Sequence, residues 1–294
     1  MSFTDAVFEQ FHHVVEPESD CIYFFYCNVD DAVIDLLRDD YYYEICGRMV
    51  PLKSQVSLRR IKDDRNRIMK LVNSLLIRYV TVLYEKNVET WKDLQIEYEH
   101  YGKPFVGNRS YSYNSSDEDG IASLCVSFDS RCKIGIDLSN PDDIERFQIS
   151  DLRDFYRSEF REIFTPGEVA ELDLAFERLS RREQLQRLSE YWALKESLSK
   201  FEGFGLHKGL KRYAIEGPKV PMRIGEKRSS NAQSFTKIED IELTSLAGHG
   251  PVRNACFLIP GTEIICSIMS DRKVVRVISM DAFSMVKFIN ESQG

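Results

Sequence analysis

The sequence has no CxxC pair, no run of 20 apolar residues and no surplus of positive charge. Its seven cysteines (Cys21, Cys27, Cys46, Cys125, Cys132, Cys256 and Cys266) are odd in number, and none is spaced with the histidines as a zinc site would be. A disulfide framework and a structural zinc are therefore not expected, and free thiols point to a reducing, cytoplasmic setting. The opening "MSFTDAVFEQ" carries acids early and lacks a basic region followed by an apolar one, so no secretory leader is read. "CIYFFYCNV" (21–29) is the longest apolar-rich stretch and falls short of the roughly 20 residues that span a bilayer. A formal charge of -8 argues against a nucleic-acid binder working by overall charge, although a locally basic cleft stays possible. No internal repeat is visible.

What is present describes a globular chain: 294 residues, 43% hydrophobic and 29% charged, enough for one large domain or two ordinary ones. "CIYFFYCNV" reads as a buried strand with a helix after it. Apolar residues recur at helical spacing from Val56 to about Glu85, opening with "RRIKDDRNRIMK" (59–70), which holds six cationic and two acidic residues. "IASLCVSF" (121–128) and "KIGIDL" (133–138) read as paired strands, and Thr165-Pro166-Gly167 starts a helix with Glu168 completing its cap. A further helix is expected from about Arg182 to Phe201, stopped by Gly203 and Gly205. Strand-like runs follow at "KRYAIEG", "ACFLIP", "EIICSIMS" and "VVRVISM", then a short terminal helix. Helices and strands are mixed without regular alternation, so the class is α+β.

Two places carry candidate chemistry. In "IGIDL", Gly135 and Asp137 share one strand face, leaving room for something to approach the carboxylate. In "YWALKESLSK" (191–200), Trp192, Glu196 and Lys200 step by four along one helix face. The plain reading of Glu196 and Lys200 is an i,i+4 pair contributing about 0.3–0.5 kcal/mol. The functional one brings Asp137 and Glu196 together as hard oxygen ligands suited to Mg2+, with Lys200 offsetting a phosphate.

The spacing of "IGIDL" and "WALKESLSK" resembles the paired signature of surfactin-type 4′-phosphopantetheinyl transferases. "IFTPGE" before the helix, "GFGL" (203–206) after it and "GKP" (102–104) upstream are similar to that family too, and the likeness runs over about 51–215. Within the family, "PLKSQVSLRRIKDDRNRIMKLVNSLLIRY" and 113–118 look most like fungal enzymes that activate α-aminoadipate reductase in lysine synthesis. The resemblance implies transfer of 4′-phosphopantetheine from coenzyme A to a serine of an apo carrier-protein domain, with release of 3′,5′-ADP. It implies a pseudo-dimer of two similar α+β halves, 1–130 and 131–294, with the active site in the cleft between them. A polar, mobile insert is expected at 225–237.

By the same resemblance, Asp137 and Glu196 hold Mg2+ with Glu118 as third ligand, Glu196 takes the serine proton, and Lys200 neutralises the leaving phosphate. Coenzyme A contacts are expected from Lys103, Ser116, Lys195, Arg59 and Arg65, with Arg78 also near, while Trp192 anchors the helix in the core. Two positions depart from the family. Asp117 stands where a histidine is common, and Ser139 where bacterial members carry a second acid. The expected protein is a cytoplasmic monomer with no membrane or nucleic-acid partner. The alternatives are a weak or inactive relative that binds coenzyme A or carrier proteins, and a Mg2+ nuclease. The nuclease is disfavoured because Leu198 stands where its lysine belongs.

Overall fold

The computed structural model describes residues 2–16, 18, 20–147, 149–217, 221–225 and 233–293. The chain opens with α1 (Phe3–Val14), β1 (Cys21–Asn28), α2 (Asp31–Arg38), α3 (Asp40–Arg48), α4 (Leu52–Arg59) and α5 (Asp64–Glu85). A short α6 (Thr90–Asp93) leads to β2 (Ile96–Tyr98), β3 (Pro104–Val106), β4 (Ser112–Glu118), β5 (Ile121–Ser127) and β6 (Ile134–Ser139). Four helices follow: α7 (Pro141–Glu145), α8 (Leu152–Ser158), α9 (Pro166–Phe176) and α10 (Arg181–Glu202). The remainder is β7 (Met222–Arg223), β8 (Phe235–Glu242), β9 (Thr244–Ser245), β10 (Arg253–Leu258), β11 (Ile265–Ser270), β12 (Val274–Met280) and α11 (Ala282–Gln293). The class is α+β, as the sequence suggests.

Two sheets lie face to face. The first has strand order β4-β5-β1-β12-β8, with β1 and β12 parallel and the other pairs antiparallel. The second runs β6-β11-β10-β7 with β9 on β10. Between them sits a core of residues such as Phe24, Ile136, Phe257, Ile268 and Val277. Outside the first sheet, α1–α5 and α11 bury a second core around Phe25, Leu75, Tyr79 and Phe288. Outside the second, α8–α10 bury a third around Tyr156, Phe164, Leu188 and Leu198. β1 is buried from Cys21 to Cys27 because both of its faces are covered. The cut expected at residue 130 divides the chain but not the sheets, since β8, β12 and α11 complete the first layer.

Three local readings change. The long helical pattern breaks into α4 and α5 because Asp63 caps α5, its carboxylate accepting from Asn66 N at 2.7 Å. "KRYAIEG" forms no strand. Its backbone groups are taken by side chains instead: Tyr213 O accepts from Lys195 Nζ, and Ile215 N donates to Glu168 Oε1 at 2.8 Å. Of the polar stretch 225–237, residues 226–232 lie outside the described residues, and Phe235–Lys237 already belongs to β8. Among the described residues no helix is long and apolar enough to cross a membrane.

The room beside Gly135 is filled by α10. A Cβ there would stand 2.0 Å from Ser197 O and 2.4 Å from Phe201 N, so only glycine lets the helix backbone close on β6. Gly135→Ala is expected to lose about 1–3 kcal/mol of unfolding free energy through overpacking, read from the urea midpoint. A midpoint equal to wild type would show that α10 can move aside freely.

Burial lifts the Glu190 carboxyl of α10 to about 7, against the pull of Arg187 at 3.2 Å. A carboxyl that holds its proton more tightly folded than unfolded contributes stability below its unfolded value near 4.5, and that contribution is lost as pH rises through about 7. Glu190→Gln is expected to flatten the fall in urea midpoint between pH 5 and pH 8. A slope as steep as that of wild type would assign the loss elsewhere.

Candidate active site

β4 and β6 are the edge strands of their sheets and meet along a seam. Asn114 Oδ1 accepts from Ile136 N at 3.0 Å, and Ser116 Oγ accepts from Leu138 N at 3.3 Å, so side chains of one edge satisfy backbone donors of the other. Because strand residues alternate, Asn114, Ser116 and Glu118 share a face and Asp117 takes the opposite one. Asp119 and Gly120, both at positive φ, make the two-residue turn into β5, with Glu118 directly before it.

At the middle of the seam Asp137 is 4% exposed. Lys200 Nζ donates to its Oδ1 at 2.7 Å and lies 3.2 Å from Glu196 Oε1, while Ser116 Oγ donates to the same Oδ1 at 3.3 Å. Asp137 Oδ2 is buried and has no hydrogen-bond partner among the described residues. Burial pushes the Asp137 carboxyl above the usual carboxylate range, although Lys200 pulls it back. Burial alone would lower Lys200, but Asp137 and Glu196 together hold it above its ordinary value. Glu118 is raised by burial first, then by the charge of Asp143 and its hydrogen bond, with Asp137 and Asp119 adding repulsion.

Asp137, Glu196, Lys200 and Ser116 thus form one connected cluster, and Glu118 is near enough to feel its charge. The expected metal trio is not drawn into a closed set: among the described residues, no group of three His, Cys, Asp or Glu side chains is placed to hold a metal ion. Glu118 turns to Asp143 instead. The unpartnered Oδ2 of Asp137 nevertheless fits a hard cation. Mg2+ commonly takes only one or two protein carboxylates, the rest of its shell being water and substrate phosphate.

The expected coenzyme A contacts scatter. Lys103 donates to Ile134 O at 2.9 Å, at the start of β6, and with Lys133 and Gly203 lines a cavity of about 420 Å³. Arg65 is exposed on the first turn of α5, paired with Asp31 at 2.7 Å, and Asp119 is close enough for its charge to act on it. Arg59 is exposed at the end of α4. Asp117 pairs with Lys70 at 2.8 Å and accepts from Asn73 Nδ2 at 3.1 Å, so a cation from the basic run neutralises the acid that replaces histidine. Arg78 is a wall residue, its guanidinium donating to Trp91 O at 2.7 Å and Leu94 O at 2.9 Å. Trp192 packs on the third core, its ring 5.5 Å from that of Phe160.

Lys195 corrects the expectation most clearly. Its side chain is 0% exposed and pairs with Glu168 Oε1 at 2.8 Å, turned into the third core rather than toward Asp137. One helical step of 100° separates it from Glu196, enough to send neighbouring residues to different surroundings. Sequence reasoning also missed Asn114 and Asp143. Alternation along β4 would have placed Asn114 beside Ser116, but a Ser/Asn/Asp-rich segment carries little strand signal. Asn140-Pro141 does signal the short helix bearing Asp143, with Asn140 Oδ1 accepting from Asp142 N at 3.0 Å.

Residues 133–244, which include β6 and α10, match the family model of the 4′-phosphopantetheinyl transferase superfamily. Among the chain's relatives is the L-aminoadipate-semialdehyde dehydrogenase-phosphopantetheinyl transferase of Saccharomyces cerevisiae, 28% identical over 184 residues. That match covers 60% of this chain and 61% of the yeast protein's length. The protein of the same name from Candida glabrata is 24% identical over 217 residues, covering 73% of this chain and 76% of its own length. The superfamily match spans both halves of the cluster, the strand with Asp137 and the helix with Glu196 and Lys200.

Removing the Lys195 ammonium strands a buried carboxylate. Lys195→Met is expected to cost about 3–5 kcal/mol in urea unfolding, and Lys195→Met with Glu168→Leu to recover most of it. Coenzyme A affinity, measured by calorimetry on the double variant, is expected to equal that of wild type. A large loss of affinity in a folded double variant would return Lys195 to the ligand site.

Proposed function

We infer that the protein transfers 4′-phosphopantetheine from coenzyme A to a serine of an apo carrier-protein domain. The superfamily match supports the reaction class, and the cluster of buried Asp137 with half-buried Lys200 and Glu196 is the observation that carries it to particular residues. The serine oxygen forms a bond to the β-phosphorus of coenzyme A, the bond from that phosphorus to the bridging oxygen breaks, and 3′,5′-ADP leaves with the bridging oxygen. Glu196 is the group placed to accept the serine proton, since its carboxylate is held at the cluster by Lys200. Lys200 is the ammonium placed to offset charge on the phosphates as the leaving group departs. Ser116 and Lys200 hold Asp137 by Oδ1, which keeps Oδ2 free. Asp137 and Glu196 would hold Mg2+, which neutralises the pyrophosphate when bound.

The carrier we propose is the domain of an aminoadipate reductase, with a role in lysine synthesis. Its support is the name of the two fungal relatives. Seven free thiols accord with work in the cytoplasm.

Incubation with coenzyme A, Mg2+ and an apo carrier domain from an aminoadipate reductase is expected to add one phosphopantetheine to the carrier by intact-mass spectrometry. EDTA is expected to abolish the gain, and Glu196→Gln to slow it by at least about 100-fold. An unmodified carrier, with a generic apo acyl carrier protein also untouched, would overturn the reading.

A further inference from the structure

Ser197, the residue after Glu196, touches both strands beneath α10. Its carbonyl lies against Gly135 of β6, so close that a Cβ there would stand 2.0 Å away. Its hydroxyl bonds that of Ser267 on β11 at 2.7 Å. Ser197 Oγ also donates to Leu194 O at 3.0 Å, which commits its single proton, so Ser267 is the donor between the two hydroxyls. Both side chains are 0% exposed, and the partners of these hydroxyls lie outside the cluster. Ser267 is also the direct partner of Asp137 across the β6–β11 ladder, so the two side chains share the sheet face that α10 covers.

Two alanines replace a pair of buried hydroxyls at little cost in stability, so packing alone gives this bond no special standing. Its position does. It joins the residue opposite Asp137 to the residue following Glu196, and so fixes how far α10 is turned over β6. The ion pairs of Lys200 cannot hold that angle through a turnover. They join it to Asp137 at 2.7 Å and to Glu196 at 3.2 Å, and they loosen when Lys200 turns to the phosphates. The bond between the serines involves no reacting group and persists. We propose that Ser267 is a positioning residue for the transfer: through Ser197 it keeps the Glu196 carboxylate oriented to Asp137 while Lys200 engages the phosphates. The proposal rests on the transferase reading.

The test compares the full chain with Ser267→Ala, Ser197→Ala and the double variant. A catalytic group misplaced by about 1 Å can cost about 100-fold in rate, and a partial loss of orientation is expected to lower kcat about tenfold. The KM values for coenzyme A and for the apo carrier, at saturating Mg2+, are expected to stay at wild type. Because all three variants lose the same bond, the double is expected to fall no further than either single. Its urea midpoint is expected to match wild type, which separates orientation from stability. A double variant with wild-type kcat, losses that multiply in the double, or a loss confined to KM overturns the positioning role and leaves the transferase reading standing. Absence of transfer by wild type defeats the transferase reading instead. Calorimetric titration of Mg2+ into the chain holding coenzyme A then decides the role of Ser267. Binding about tenfold weaker in the double variant upholds it, and binding that is unaltered, or absent from wild type, overturns it.

Discussion

An edge strand offers unpaired backbone donors, and here the edge of one sheet is satisfied by side chains from the edge of the other. Asn114 and Ser116 accept from Ile136 N and Leu138 N, which locks β4 to β6 without merging the two sheets into one ladder. The site depends on this seam. The Ser116 hydroxyl accepts from Leu138 N and therefore presents its own proton to Asp137 Oδ1. The same alternation carries Glu118 to the end of the seam, where the tight Asp119-Gly120 turn stops the strand.

From the other side the cluster is closed by α10, which approaches β6 at backbone distance because Gly135 has no side chain. This helix carries two ion pairs of different kinds. Lys195 and Glu168 are both enclosed, and they tie the helix to the start of α9 and to the segment around Tyr213 and Ile215. Lys200 instead bridges two carboxylates at the seam and leaves one oxygen of Asp137 buried without a partner. A fully enclosed pair is strongly disrupted by losing one member, which suits an anchor. An incompletely satisfied group in a cleft is what a reacting site holds.

The balance of charge around the seam has a direction. Asp137 and Glu196 share the single Lys200 ammonium while Asp143, beside Glu118, is paired with Arg146, so the centre is short of positive charge, and burial with mutual repulsion raises the carboxyls of Glu118 and Asp137. Such an arrangement favours a cation between carboxylate and phosphate over an anion alone. The neighbouring positive groups lie outside that centre: Lys70 is held by Asp117, and Arg65 faces the Asp119 turn.

Much of this was legible along the chain, since the residues concerned act at short range. The Gly135–Asp137 spacing, the i,i+4 step from Glu196 to Lys200, the Thr165–Glu168 cap and the stop at Gly203 follow from strand and helix periods and from capping chemistry. What decided the rest was burial between distant segments. β4 is a strand because the seam needs its polar side chains, although its residues have little intrinsic preference for one. "KRYAIEG" stays irregular because Lys195 and Glu168 claim its backbone. The first sheet is completed by β12, far along the chain from β1, in parallel register from Cys21 with Val274. Local period placed Lys195 and Lys200 on one helix, but only the packing of β6 on one side and the α9 cap on the other determined that Lys195 is enclosed as an anchor and Lys200 reaches the carboxylates.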